Sequence, residues 1–88
     1  MGDYRVTIAR SARKELERLQ PRIAERIMDK IESLSSEPRP MGTAKLQAER
    51  NLWRIRVGEY RVVYSIDDAK RAVDISIVRH RRDVYRPF

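Results

Sequence analysis

The sequence predicts a single α+β domain: a small, mostly antiparallel sheet with an N-terminal strand, a helical hairpin packed on one face, and a C-terminal meander of three to four strands. Three observations lead there. The chain is 88 residues long, enough for one core but not two. Its first residues alternate apolar and polar, the stretch from Ser11 to Leu34 follows helical periodicity, and its second half returns to alternation. Cysteine is absent, so the fold must be held by packing rather than by cross-links, and thiolate metal sites and thiol catalysis are excluded.

The elements follow in order. Tyr4, Val6 and Ile8 alternate with Arg5, Thr7 and Ala9, a strand near 3–9 with one buried face. Ser11 is placed to cap a helix whose Ala12, Leu16 and Leu19 fall on one stripe at spacings of four and three. Gln20-Pro21 interrupts it. Proline suits the first position of a helix, and Ile23, Ile27, Ile31 and Leu34 then line a second amphipathic helix, ended by the run from Ser35 to Pro40. Beyond a loop from Pro38 to Gly42 come a short strand around Ala44–Gln47 and longer ones at Leu52–Val57, Tyr60–Ile66 and Ala72–Val78. No repeat or linker divides the chain, and 1–88 reads as one domain. No segment is apolar enough to span a membrane and no secretory signal is present, so a cytoplasmic protein with no membrane partner is expected.

Charge is the second theme. Lys and Arg number 20 against 13 acidic side chains, a net charge of +7, which attracts polyanions. Residues 1–43 contribute +2 of this and residues 44–88 contribute +5. Most of the basic side chains in the second half are arginine, whose planar fork matches phosphate better than a point charge does.

Between Val57 and Tyr60 stand only Gly58 and Glu59, and glycine at the first position of a two-residue loop marks a type II′ hairpin. The register then pairs 57 with 60, 56 with 61 and 54 with 63. One face receives Trp53, Ile55, Val57, Tyr60, Val62 and Tyr64, an apolar set suited to lie beneath the helices. The other receives Arg54, Arg56, Arg61 and Val63, with Arg56 directly opposite Arg61. Like charges in that relation destabilise a sheet, so this convergence favours a phosphate-reading surface over a merely solvated face.

Val73, Ile75 and Ile77 are expected to continue the buried alternation on the last strand, after which Arg79-His80-Arg81-Arg82 leaves the sheet as a second basic cluster. Taken alone such a run serves equally well as a solubilising tail. Tyr85, four residues after Arg81, is open to packing, stacking or acid–base roles. His80 is the only histidine, so neither a two-histidine nuclease site nor a metal cluster can be built, and Asp67-Asp68 reads as a turn.

Leu52-Trp-Arg-Ile-Arg-Val-Gly-Glu-Tyr-Arg-Val-Val-Tyr64, preceded by Lys45-Leu46 and followed by Val78-Arg-His-Arg-Arg-Asp-Val-Tyr85, resembles the RelE/ParE toxin superfamily, and within it the RelE branch. The opening Tyr4-x-Val-x-Ile8 and the stretch from Ala12 to Leu19 resemble that family's first strand and helix, so the likeness spans nearly the whole chain. It implies a toxin of a toxin–antitoxin pair that enters the ribosomal A site and cuts messenger RNA by attack of the 2′-OH, without metal or cofactor, and that is neutralised by a RelB-like antitoxin. It further implies catalytic roles for Arg61, Arg81 and Tyr85, and RNA contacts at Lys45, Arg54, Arg56, His80 and Arg82.

Such a reaction needs the 2′-OH deprotonated, the charge of the phosphorane offset and the 5′ oxygen protonated. Arg54 and Arg56 stand where lysine is often found in the family, which leaves Tyr85 as the base. Arg56 and Arg61 would hold the scissile phosphate and Arg54 its neighbour. Arg81 is the family-like donor to the leaving oxygen, with His80 or solvent as alternatives, because a guanidinium is a weak acid. Two other readings compete: a ParE-like inhibitor of DNA gyrase with no enzymatic activity, which generally lacks this arginine and tyrosine set, and a generic RNA-binding module that uses the basic face without catalysis.

Overall fold

The computed structural model describes residues 3–47 and 51–83. Strand β1 (Arg5–Ile8) leads into helices α1 (Arg10–Arg18) and α2 (Pro21–Ser33), followed by strands β2 (Ala44–Gln47), β3 (Leu52–Val57), β4 (Tyr60–Asp67) and β5 (Ala72–His80), and a 3₁₀ turn at Arg81–Asp83. The five strands form one sheet in the order β1-β5-β4-β3-β2. β1 runs parallel to β5, and the other neighbours are antiparallel. The expected α+β architecture is what the chain adopts, including the short strand before β3.

The break between the helices has a local cause. Gln20 precedes a proline, whose ring disfavours helical backbone in the residue before it, and Gln20 is accordingly extended at φ −59°, ψ 141°. Pro21 then opens α2, where its missing N–H costs nothing. The start of α1 differs from expectation. The helix begins at Arg10, Ala9 occupies the cap position without a side-chain cap bond, and the Ser11 hydroxyl donates instead to the carbonyl of Ser76 at 3.3 Å. The Ala9 N–H meanwhile donates to the Ile75 carbonyl at 2.8 Å, so β5 organises this helix end in place of a cap.

One face of the sheet carries the core. Ala12, Leu16, Ile27, Ile31 and Leu34 from the helices pack with Ile55, Val62, Tyr64, Ile66, Val73, Ile75 and Val78 from the strands. Tyr64 is fully buried, and its hydroxyl donates to the Pro38 carbonyl at 2.8 Å, which satisfies the one polar atom it carries inward.

β5 departs from simple alternation. Tyr64 pairs with Ile75 but Val63 pairs with Ile77, so Ser76 is an extra residue in β5. Every residue beyond it changes face. Val78, and not Ile77, is the buried residue opposite Val62, and Ile77 and Arg79 turn to the face away from the helices. The strand also continues through His80, so Arg79 and His80 belong to the sheet rather than to a run that leaves it.

Candidate functional site

The β3–β4 register is the one that the two-residue loop dictates: Val57 opposite Tyr60, Arg56 opposite Arg61, Ile55 opposite Val62 and Arg54 opposite Val63. Gly58 has φ +60°, the left-handed value that the first loop position of a II′ turn needs and that side chains resist, while Glu59 keeps an ordinary negative φ. This turn puts Trp53, Ile55, Val57, Tyr60, Val62 and Tyr64 toward the helices. It leaves Arg54, Arg56 and Arg61 on the opposite face.

The extra residue in β5 completes that face. Arg61 stands opposite Arg56 on one side and Arg79 on the other, a row of three arginines across three adjacent strands. The next row down holds Arg54, Val63 and Ile77, with Val63 buried. Arg54 is partly buried, and burial, followed by the nearby charges of Arg61 and Arg56, pushes its pKa below the ordinary guanidinium value. Arg61 is half-buried, and its Nε has no hydrogen-bond partner among the described residues. A row of cations in which Arg61 keeps an unused donor gains most from a multivalent oxyanion.

Beyond the end of β5 the 3₁₀ turn brings Arg81 and Arg82 to the same place. Together with Arg56 and Arg61 they line an open concavity of about 400 Å³ whose lining, among the described residues, is entirely arginine. Glu59 from the hairpin loop holds Arg81 twice: its carbonyl accepts the Arg81 N–H at 2.8 Å, and its carboxylate forms an ion pair with the side chain, 2.8 Å from Nε. Among the described residues no three His, Cys, Asp or Glu side chains gather to hold a metal ion.

Two of the expected RNA contacts lie elsewhere. Lys45 pairs with Trp53 across β2–β3, and its ammonium sits 5.2 Å from the centre of the indole, with the Arg39 guanidinium 4.9 Å from the same ring. His80 is opposite Tyr60, on the helix-facing side; its ring meets the tyrosine edge-on at 5.2 Å and its Nδ1 accepts the Arg82 N–H at 3.2 Å. Tyr85 lies outside the described residues. Arg79 is the member of the arginine row that period-two counting misses. The adjacent apolar pair Ile77-Val78, which breaks that period, is the sequence signal of the shift.

The family model described as "ParE toxin of type II toxin-antitoxin system, parDE" matches residues 6–85. The chain belongs to this ParE toxin family, within the RelE/ParE superfamily. Its curated relatives are of the RelE type. The toxin is 36% identical over 84 residues to Toxin RelG of Mycobacterium tuberculosis, covering 94% of this chain and 97% of that protein. It is 33% identical over 84 residues to Toxin RelE of the same organism, covering 94% and 87%. Among solved structures, the archaeal RelE–RelB complex from Pyrococcus horikoshii matches with a TM-score of 0.82 at 30% identity, covering 90% of this chain and 96% of that one. The toxin–antitoxin complex RelBE2 from Mycobacterium tuberculosis matches at 0.77 and 34%, covering 89% and 98%. This chain is thus a RelE-family toxin of a toxin–antitoxin pair with the fold of RelE toxins.

Proposed function

We propose that this toxin is a ribosome-dependent endoribonuclease that cleaves messenger RNA in the ribosomal A site by transesterification at the 2′-OH, and that a RelB-like antitoxin neutralises it. The observation that carries the reading is the row Arg56–Arg61–Arg79 beside a concavity that Arg81 and Arg82 complete. A sheet accepts three like charges in line only at a cost, and an RNA phosphate seated over them removes that cost.

In this reading Arg56 and Arg61 hold the scissile phosphate and offset the charge that grows on its oxygens, and Arg54 takes an adjacent phosphate. Tyr85, acting as its phenolate, takes the proton of the 2′-OH. Arg81 serves the leaving oxygen, directly or by orienting a water; His80 is less suited to that step because its Nδ1 already accepts the Arg82 N–H and its ring faces Tyr60. A tyrosine and a guanidinium are weak acid–base partners at neutral pH, so most of the rate must come from RNA that the ribosome holds in line for attack. The site of action is then the cytoplasm. The solved relatives that are RelE–RelB complexes support an antitoxin partner, and the basic face of this chain calls for an acidic contact surface on it.

The ParE name of the family model favours a second reading, a non-enzymatic block of DNA gyrase. Induced expression without antitoxin, followed by pulse labelling of protein and DNA synthesis, separates the two. Translation should stop first. If DNA synthesis fails first while translation continues, the gyrase reading replaces the nuclease.

A further inference from the structure

Glu59 is an acid where phosphate attraction would favour none. It sits at the second position of the hairpin loop, beside a concavity lined by Arg56, Arg61, Arg81 and Arg82, and its charge subtracts from the pull that those side chains exert on RNA. Its ion pair with Arg81 is exposed on both sides, at 58% and 61%, and pairs so placed add little to stability. Neither binding nor folding accounts for it.

Its geometry does. The Glu59 carbonyl accepts the Arg81 N–H at 2.8 Å, which sets where the 3₁₀ turn begins, and the Glu59 carboxylate forms an ion pair with the guanidinium, 2.8 Å from its Nε, which draws that side of it toward the hairpin. A guanidinium presents donors along more than one edge. With its Nε side drawn to the hairpin, the guanidinium lines the concavity and keeps donors for a ligand there. We infer that Glu59 is a positioning residue for RNA cleavage, holding Arg81 by its Nε side so that its remaining donors serve the scissile phosphate and the leaving oxygen. This role rests on the nuclease reading above.

The inference gives binding and chemistry opposite signs. Removing the carboxylate raises the net charge and strengthens association with RNA, while it frees a long side chain whose orientation the reaction needs. Single-turnover cleavage on programmed ribosomes, with toxin varied to saturation, reads both. Glu59→Ala should lower the saturated rate about tenfold or more, with half-saturation unchanged or at lower toxin concentration. Glu59→Asp, which keeps the charge that pairs with Arg81, should recover most of the rate. In an Arg81→Ala background, Glu59→Ala should change nothing further.

Three outcomes overturn the inference in distinguishable ways. If Arg81→Ala abolishes cleavage but Glu59→Ala cleaves at the wild-type saturated rate, Glu59 does not position Arg81 and the nuclease reading stands. If both Glu59 variants lose rate together with a lowered melting temperature, Glu59 is structural. If the wild-type toxin does not cleave, or Arg81→Ala cleaves as well as wild type, the reading that gives Arg81 its role fails and this inference falls with it.

Discussion

Arg61 on β4 stands opposite Arg79 on β5, on the flank away from its other cross-strand neighbour, Arg56. That pairing depends on the extra residue Ser76, which changes the phase of β5 before Arg79 is reached. A strand without it would present Arg79 on the helix-facing side, at the place opposite Tyr60 that His80 now takes. The irregularity therefore widens the basic face from two strands to three.

Removing the middle of that row should help the fold and end the function. Arg61→Ala relieves repulsion on both sides, each like-charged pair costing about 0.2–1 kcal/mol relative to a neutral one. The melting temperature should stay level or rise by roughly a few degrees, more clearly at low salt than at high. Cleavage on programmed ribosomes should be lost. A melting temperature several degrees lower would mean that the half-buried Arg61 side chain supports the sheet through packing and that the charge argument is secondary.

Tyr85→Phe removes only a hydroxyl and so separates proton transfer from stacking. With Tyr85 as base, single-turnover cleavage should fall by about 10² or more while ribosome binding changes little. Products of the wild-type reaction should end in a 2′,3′-cyclic phosphate, and a 2′-deoxy substitution at the scissile nucleotide should block it. Cleavage by Tyr85→Phe near the wild-type rate would take tyrosine out of the mechanism and send the search for a base to ribosomal RNA.

At the far end of the sheet the pH dependence of stability should be traceable to Asp68. Its carboxylate accepts a bidentate pair from Arg39, at 2.8 and 3.3 Å, and the Tyr4 hydroxyl at 2.6 Å. The Arg39 bonds first, and then the Tyr4 bond, hold the Asp68 carboxyl below its ordinary pKa, whereas the bond to Asp68 raises that of Tyr4. A depressed carboxyl contributes stability above its unfolded pKa of about 3.9 and loses it as pH falls through the lower folded value. A raised phenol contributes below about pH 10 and loses it as pH rises through the higher folded value. In melts taken across pH, Asp68→Asn should flatten the acid limb and Tyr4→Phe the alkaline one. Profiles parallel to wild type in both variants would show that this network does not couple to folding.

What the sequence determined by itself is whatever near neighbours in the chain decide. Gln20-Pro21 ends one helix and opens the next because proline restricts the residue before it. Gly58-Glu59 sets the hairpin register because a two-residue II′ loop admits one pairing, and so Arg56 meeting Arg61 was legible before any coordinates. Tertiary structure decided what depends on strands far apart in the chain. Arg79 reaches the arginine row only through the extra residue opposite β4, and the Ser11 hydroxyl, free locally to cap α1, finds the Ser76 carbonyl instead. Lys45 and His80, expected from the family resemblance to contact RNA, are turned to the other face by their pairing with Trp53 and Tyr60. The physical reason is the period of two: one residue gained or lost exchanges the faces of everything beyond it, and only the partner strand fixes where that occurs.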